Sequence, residues 1–261
     1  MSAKISLKFI KENFLDFVSK LKDLTNIEDV VKIKIENDNI LMYSMLSNDV
    51  SVLALKSYTV KTSDYIENYN KDEMCDFIII NASKFVKNLN FFNLDNPIKL
   101  DLITKPLPDN DDILHVRSAQ FTNGKLKISC IGGEEHKIRD ININTLESKL
   151  DPMRSKWSFG ISKQDFLDVK KLCFINNEEK FININVDSDG KVTMSEMAKW
   201  EIEIDTVDIK NTNLIFGKKY LSNINAEIDR INFSMFDTFV LVKDDNSNLM
   251  LSFEQSFNDD E

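Results

Sequence analysis

The feature that most constrains this chain is an internal repeat. Phe14-Leu15-Asp16 recurs as Phe166-Leu167-Asp168, and Met42-Tyr43-Ser44-Met45 is echoed by Met194-Ser195-Glu196-Met197 at the same offset. Between these matches, each copy contains an amphipathic segment followed by alternating apolar and polar residues. Two tandem copies of one helix-and-sheet unit indicate duplication, and duplicated units tend to assemble symmetrically.

Composition and charge limit the class of protein. The 261 residues accommodate two domains. No apolar run approaches the roughly 18 residues that span a bilayer, and the N-terminal segment lacks the apolar core of a signal peptide, so we expect no membrane partner and an intracellular location. Three widely spaced cysteines favour free thiols in a reducing compartment. The net charge of −10 argues against a uniformly basic surface but leaves room for a local basic face.

The periodicity predicts an α+β fold in which each half runs strand, helix, several strands, second helix and further strands. Apolar stripes predict helices near residues 14–24, 85–92, 166–173 and 220–224, with Ser83 capping the second. Residues 106–112 read as one long polar loop. We expect a first domain at 1–143, a connector at 144–155, a second domain at 156–255 and a disordered acidic tail at 256–261.

Motifs for catalysis or metal binding have weak support. The segment from Asn185 to Glu196 has the spacing of a calcium-binding EF-hand loop, but its flanks alternate like strands, so a hairpin at Asp189-Gly190 is favoured over calcium. The two histidines, His115 and His136, accompany no nucleophile motif, and phosphate-binding glycine motifs are absent. We expect no catalytic residue, no metal, no cofactor and no enzymatic activity.

Lysines are the most informative polar residues on the predicted helices. Any amphipathic helix places lysines on its solvent-facing side, so the position of any individual lysine needs no functional explanation. The clearest basic excess is on the second and fourth helices, because Asp16, Asp23, Asp165 and Asp168 offset the lysines of the other two. If the helices share one side of the sheet, these lysines would line a phosphate backbone without reading bases.

At this point the sequence resembles a known family. Ser44-Met45-Leu46-Ser47-Asn48-Asp49-Val50-Ser51-Val52 is similar to the S-M-x-S-x-x-V-S-L stretch of the DNA sliding clamps represented by proliferating cell nuclear antigen and its archaeal and phage relatives. Lys22-Asp23-Leu24 and Lys219-Tyr220-Leu221 also resemble that family. The resemblance implies helices on one side of curved antiparallel sheets, and six such domains closing a ring around duplex DNA. A chain with two such domains would then form a homotrimer.

The function implied by the resemblance is processivity. Such a ring binds double-stranded DNA without sequence specificity, tethers a DNA polymerase and other DNA-processing partners, and is opened by a clamp loader ATPase. The expected location is therefore the site of DNA replication, which is the host cytoplasm for a phage and the nucleus or cytoplasm otherwise. Abundant Asn, Lys and Ile residues are typical of AT-rich genomes and agree with a viral or phage source.

Three sets of residues follow from these arguments. The resemblance places DNA-facing lysines at Lys20, Lys22, Lys84, Lys87, Lys170, Lys171, Lys218 and Lys219. It places a pocket for a partner's peptide at Met45, Leu46, Val50, Ile143, Leu146, Phe239 and Phe253. Opposite charges on two predicted strands lead us to expect a subunit interface at Lys125, Lys127 and Ile128 on one edge and Trp200, Glu201 and Glu203 on another.

Three alternatives stay open at this stage. A checkpoint-type clamp subunit would not self-assemble, and a monomeric processivity subunit of the same fold would hold DNA electrostatically without encircling it. An unrelated enzyme on a duplicated α+β fold is the third, although no catalytic cluster favours it.

Overall fold

The computed structural model describes residues 3–36, 38–48, 52–67, 69, 75–107, 110–131, 138, 145, 148–175, 180–196, 200–224, 229–243 and 247–253. The chain divides into two compact units, Met1–Leu46 with Lys56–Ile143 and Ser47–Leu55 with Asn144–Glu261. The second unit thus includes Ser47–Leu55 as well as the residues from Asn144 onward. Within the described residues, every helix is too short or too polar to cross a bilayer.

The described residues of the first unit form three helices. Helix α1 spans Lys11–Leu24 because its apolar residues recur every three or four positions and form one buried stripe. Helix α2 is a single turn at Thr62–Tyr65. Helix α3 spans Ala82–Leu89 and follows Asn81, which adopts a left-handed conformation with φ of 55°.

The start of α3 is capped by a residue that is distant in the sequence. The backbone N–H of Ser83 donates to the Asp29 carboxylate at 2.7 Å, and the N–H of Ala82 donates to the Asp29 carbonyl at 3.2 Å. Ser83 lies inside the first turn, so the prediction that it caps this helix is wrong. Asp29 fulfils that role because a carboxylate both accepts the free amides and complements the positive end of the helix dipole.

The strands of the first unit form one mainly antiparallel sheet in the order β4-β3-β2-β6-β8-β7-β1-β5, with β9 also paired to β8. β6 runs parallel to β8 at its first two residues, and β9 runs antiparallel to β8. The strand bounds are β1 (Ala3–Phe9), β2 (Val30–Glu36), β3 (Asn39–Ser47), β4 (Val52–Lys61), β5 (Ile66–Glu67), β6 (Cys75–Ile80), β7 (Ile98–Leu107), β8 (Asn110–Asn123) and β9 (Leu126–Ile131).

An aromatic cluster holds α1 and α3 against one face of this sheet. The ring of Phe121 on β8 lies 5.5–6.5 Å, centroid to centroid, from the rings of Phe9, Phe14, Phe17 and Phe85. These separations are typical of favourable edge-to-face and offset aromatic contacts. Because both helices bury their apolar stripes in this cluster, their opposite stripes face solvent.

The second unit repeats the same plan. Its strands pair in two groups, in the orders β10-β15-β16-β17 and β13-β12-β11-β14. The element bounds are β10 (Trp157–Ser162), α4 (Lys163–Ile175), β11 (Phe181–Val186), β12 (Lys191–Glu196), β13 (Trp200–Thr206), β14 (Thr212–Gly217), β15 (Arg230–Met235), β16 (Phe239–Lys243) and β17 (Ser247–Ser252), with 3₁₀ helices at Pro152–Arg154 and Lys218–Asn223.

The repeat is visible in the core of this unit. Phe166 of α4 is fully buried, as is its counterpart Phe14 of α1. The ring of Phe233 stacks on Phe159 at 4.9 Å and lies 6.5 Å from Phe166. Helix α4 packs on β10, β13 and β15. The α+β fold predicted from the sequence is therefore confirmed.

The segment with calcium-loop spacing is the hairpin between β11 and β12. The Asp187 carboxylate accepts the backbone N–H groups of Asp189 and Lys191 at 2.8 and 3.0 Å. Gly190 has a φ of 84°, and a Cβ there would lie 2.1 Å from the carbonyl oxygen of Val207. Only glycine fits that turn, so the glycine is explained by backbone geometry.

Other sequence expectations need correction. The loop predicted at 106–112 is much shorter, because β7 continues to Leu107 and β8 begins at Asn110, and their mutual pairing extends both strands. The fourth predicted helix is the 3₁₀ helix Lys218–Asn223. The single turn α2 and the two-residue strand β5 were not predicted, since neither is long enough to show periodicity. A further strand predicted at 137–143 falls, except for residue 138, outside the described residues.

Replacing Phe14 by Ala should destabilise the first unit by about 3–5 kcal/mol, because the substitution leaves a cavity in the aromatic cluster. The matched control is Leu15→Ala on the same helix, where the side chain is 55% exposed and the expected loss is below about 0.5 kcal/mol. Urea unfolding followed by circular dichroism measures both. Equal losses in the two variants would contradict this packing.

Candidate DNA-facing surface and assembly edges

Four of the predicted lysines are exposed on helices and paired with no carboxylate among the described residues. Lys22 lies near the end of α1, Lys84 and Lys87 lie on α3, and Lys219 lies on the 3₁₀ helix. Helices α1 and α3 pack against each other, so the first three lysines belong to neighbouring helices of one unit. The Nζ atom of Lys219 lies 4.7 Å from the centre of the Tyr220 ring, which leaves the cation at the surface.

Lys20 is placed differently from Lys22. Its Nζ atom forms a 2.5 Å ion pair with the Asp16 carboxylate, and only 15% of the Lys20 side chain is exposed. Burial opposes ionisation of Asp16, but hydrogen bonds from Lys20 and from the Tyr65 hydroxyl outweigh it and lower the pKa of this carboxyl. The positive charge of Lys20 is therefore largely neutralised within the chain.

Lys218 is buried, which contradicts its assignment to a DNA-facing surface. Its Nζ atom lies 2.7 Å from an oxygen of Glu196, and that carboxylate is fully buried. The second oxygen of Glu196 accepts the indole N–H of Trp200 at 2.8 Å. Glu196 thereby links the start of the 3₁₀ helix to the first residue of β13. The neighbouring Cys173 thiol is also buried, and burial together with Glu196 raises its pKa to about 12.

The two lysines predicted on α4 have partners nearby. Lys171 forms a 2.9 Å ion pair with Asp168, and the hydrogen bonds from Lys171 and Gln164 lower the pKa of that carboxyl. Both partners are exposed, so the pair contributes little to stability and opens easily. Lys170 is half-buried, with its Nζ atom 5.5 Å from the centre of the Phe166 ring.

Residues that the sequence argument missed surround α1. The ammonium of Lys56 on β4 pairs with Asp23, and the Tyr58 hydroxyl donates to the same carboxylate. The spacing of Asp16 and Lys20, four residues apart on a helix, was a readable signal for their ion pair. No comparable signal exists for Lys56 and Tyr58, because strand pairing and helix packing bring them to α1 from more than 30 residues away.

Both strands predicted to join subunits lie at sheet edges. β9 pairs with β8 on one side, and β13 is the last strand of the four-stranded sheet; neither has a second neighbour among the described strands. Lys125 and Lys127 are exposed near β9, as are Glu201 and Glu203 on β13, whereas Ile128 is buried and Trp200 half-buried. Glu203 also pairs with Lys191 at 2.7 Å, a contact that both exposed side chains can exchange.

Shallow grooves run between α3 and β9. One of about 380 Å³ is lined by residues that include Lys84, Asn88 and Ser129. A second, of about 350 Å³, shares Asn88 and Ser129 and adds the exposed apolar side chains of Phe91 and Leu126. The open edge of β9 is thus bordered by an apolar surface on its helix side.

The structure describes four of the seven residues predicted for the peptide pocket. Met45 and Leu46 lie near the end of β3 in the first unit, with Met45 buried. Phe239 and Phe253 lie in the second unit, where the Phe253 N–H donates to the Thr238 carbonyl at 3.0 Å. Val50, Ile143 and Leu146 fall outside the described residues, so this pocket stays a prediction.

Solved structures of known proteins share this architecture. The beta subunit of DNA polymerase III from Pseudomonas aeruginosa matches with a TM-score of 0.64 and 9% identity, over 99% of this chain and 66% of that one. A PCNA2–PCNA3 complex from Sulfolobus tokodaii matches with a TM-score of 0.60 and 11% identity, over 96% of this chain and 99% of that one. The chain has the sliding-clamp fold.

A third match extends this result. The Helicobacter pylori beta clamp bound to a DNA ligase peptide has a TM-score of 0.62 and 10% identity, over 97% of this chain and 67% of that one. The chain thus spans about two thirds of the length of the bacterial clamps and nearly all of the archaeal one. No protein-family model and no curated protein sequence matched. The sliding-clamp fold expected from the resemblance around Ser44–Val52 is therefore confirmed by structure alone.

Within the sliding-clamp fold, adjacent Lys218 and Lys219 should differ sharply in reactivity. An amine-reactive acetylating reagent should modify exposed Lys219 at least tenfold faster than Lys218, because the ammonium of Lys218 is buried on Glu196. Tandem mass spectrometry of a proteolytic peptide carrying both residues measures the ratio. In concentrated urea the two rates should become equal, which controls for intrinsic reactivity. Similar rates in the folded protein would place Lys218 at the surface.

Proposed function

We propose that this protein is a DNA polymerase sliding clamp, a non-enzymatic processivity factor that encircles duplex DNA and tethers a replicative polymerase. The observation that carries the proposal is the sliding-clamp fold along nearly the whole chain, with exposed lysines on its helices. A topological tether needs no tight DNA site, since strong direct binding would hinder sliding. Scattered lysines on a chain of net charge −10 meet that requirement.

The proposed DNA-facing set is smaller than the sequence predicted. Lys22, Lys84, Lys87 and Lys219 form its centre, and Lys171 joins them when its exposed pair with Asp168 opens. Lys218 is excluded by burial. Ammonium groups on flexible stems suit contacts with phosphates, which carry no sequence information. The proposed binding is therefore sequence-independent and sensitive to salt.

Self-assembly into a ring is supported by the repeat itself. Strand β4 is the hydrogen-bonded neighbour of β17, and the Val52 carbonyl at its start accepts a hydrogen bond from the Ser252 hydroxyl. By order within each repeat, β13 is the counterpart of β4, and β9 is the counterpart of β17. The strand pairing between β4 and β17 can therefore be repeated between two copies of the chain. In that case the open edge of β13 in one copy pairs with the open edge of β9 in the other. Head-to-tail pairing of this kind adds one copy after another, and it forms a closed ring when the rotation between copies closes.

The side chains of the two edges are complementary. Lys125 and Lys127 on one edge would meet Glu201 and Glu203 on the other, which favours this pairing over β9 with β9 or β13 with β13. Apolar residues flank the edges on the helix side. They are Phe91 and Leu126 beside β9, and the exposed Phe174 and Ile175 at the end of α4, which packs on β13. With two clamp units per chain, we propose a homotrimer.

The partners proposed for this ring are double-stranded DNA, a DNA polymerase and a clamp loader ATPase. A Helicobacter pylori beta clamp binds a DNA ligase peptide, so a short partner peptide is a reasonable ligand for this chain as well. We keep the predicted pocket of Met45, Leu46, Val50, Ile143, Leu146, Phe239 and Phe253 as its site.

One observation favours a monomeric processivity subunit as the second candidate. Glu203 is already paired with Lys191, and that pairing competes with a contact to another copy. A ring should be retained on a closed circle of DNA and released when the circle is cut. A monomer should bind linear and circular DNA alike. In solution, the trimer should have about three times the 30.2 kDa mass of the chain.

Charge reversal on α3 should weaken DNA binding. We expect K84E/K87E to lower the affinity for linear duplex at least tenfold and the slope of log affinity against log salt by about 2, because two phosphate contacts are lost. The matched control is K4E/K99E, which makes the same charge change on strands β1 and β7 beside Asp101. Fluorescence anisotropy measures both. Equal losses would contradict a DNA-facing α3 and, with it, the proposed function.

Charge reversal on β13 should break the ring. We expect E201K/E203K to elute as a monomer from a sizing column, because lysines would then face lysines across the joint. The quadruple variant K125E/K127E/E201K/E203K restores complementarity at unchanged net charge, and it should recover the trimer. If E201K/E203K stays trimeric, or if the quadruple variant stays monomeric, the proposed pairing of β9 with β13 between subunits is wrong.

A further inference from the structure

Of the three acidic residues on helix α1, Glu12 lies in the first turn, whereas Asp16 and Asp23 lie within two turns of Lys22, which is proposed to face DNA. Two carboxylates so near a phosphate backbone would offset the attraction of one lysine, since charges within about 8–10 Å interact at physiological salt. The surroundings of both carboxylates therefore decide whether α1 attracts or repels DNA.

Asp23 is bound from the sheet side. The ammonium of Lys56 pairs with it, and the side chain of Lys56 is only 3% exposed. The Tyr58 hydroxyl donates a hydrogen bond to the same oxygen. A buried lysine next to a carboxylate that is 27% exposed gives a neutral pair whose positive member is hidden.

Asp16 is bound in the same manner about two helical turns earlier. Lys20 forms the 2.5 Å ion pair with it, and Tyr65 of α2 donates its hydroxyl proton. The ion pairs of Asp16 and Asp23 lie close together. The Lys20 Nζ atom is 5.7 Å from the centre of the Tyr58 ring and 6.0 Å from the centre of the Tyr65 ring. The Lys56 Nζ atom lies 5.6 Å from the Tyr58 ring centre. We call Asp16, Lys20, Asp23, Lys56, Tyr58 and Tyr65 the α1 charge cluster.

We propose that Lys56 and Lys20 are charge-compensating residues that neutralise Asp23 and Asp16, so that these two carboxylates do not offset the positive charge of Lys22 at the surface of α1. This role rests on the proposed function. It reassigns Lys20 from direct phosphate contact to the α1 charge cluster, and it gives DNA binding a dependence on Lys56, a residue too buried to touch DNA.

The chain contains a matched control for Lys56. Lys32 on β2 pairs with Asp76 at 2.8 Å, with 5% and 25% of the two side chains exposed, almost the same exposure as in the Lys56–Asp23 pair. However, Lys32 alternates with Val31 and Ile33, which belong to the aromatic-rich core under the helices, and so lies on the other face of β2. Substituting either lysine removes one buried positive charge, but only Lys56 compensates a carboxylate on α1.

The test measures anisotropy with a short fluorescent linear duplex. We expect K56M to weaken binding about two- to fivefold, because it uncovers one negative charge near the phosphates. The double variant K56M/D23N should return to wild-type affinity, and K32M should bind within about 1.5-fold of wild type. If K56M equals K32M, or if D23N fails to rescue K56M, the proposal is wrong.

A second pair of variants, K20M and K20M/D16N, tests the same proposal if thermal melting shows that K56M does not fold. K20M should weaken binding by a similar factor, and K20M/D16N should restore it with the wild-type salt slope. A salt slope that stays lower by about 1 in K20M/D16N would mean that Lys20 contacts phosphate directly. The K84E/K87E variant distinguishes failure of the proposed function from failure of the charge-compensation proposal. If it binds normally, the proposed function fails; if it binds weakly while K56M and K20M bind normally, only the charge-compensation proposal fails.

Discussion

The packing of amphipathic helices on one face of a sheet is the constraint on which the rest of this structure depends. In the first unit, rings from α1, α3 and β1 converge on Phe121 of β8. In the second unit, Phe166 occupies the place of Phe14 and meets Phe233. Burying one stripe of each helix leaves the opposite stripe in water, and that geometry alone places Lys22, Lys84 and Lys87 on the surface.

Edges of sheets are the second constraint. A strand with one unpaired side is an aggregation hazard unless it is charged, covered or paired. Here β9 and β13 carry opposite charges, and each keeps an open side among the described strands. Charge of one sign on each edge discourages a strand from pairing with its own kind, and opposite signs favour pairing between them. The same feature thus protects the free chain and specifies how copies are proposed to join.

Charge placement matters more than total charge in this protein. A net charge of −10 would repel DNA if it were spread evenly. Instead, Asp16 and Asp23 on α1 are bound by lysines and tyrosines, and buried Glu196 is satisfied by Lys218 and Trp200. Carboxylates held in this way are neutralised in part within the chain, and for this reason the exposed lysines are proposed to act on phosphates without being offset by them.

The sequence by itself determined the local elements and the duplication. Helix α1, the hairpin of β2 and β3, the turn at Gly190 and the matched Phe14 and Phe166 were all readable, because periodicity and turn chemistry depend on residues close together in the chain. The local signal was weaker where elements are short, as in α2, or where pairing extends strands, as in β7 and β8.

Only the tertiary structure decided which charges are available. Lys218 and Lys219 are adjacent in sequence, yet one is buried on Glu196 and the other is exposed, and Lys20 is occupied while Lys22 is not. The partners of Asp23 come from β4, which packing and strand pairing bring to α1. The sheet order likewise left β9 and β13 at edges. Electrostatic partners and strand neighbours are distant in the chain, so their identity is fixed by long-range packing and not by any local pattern.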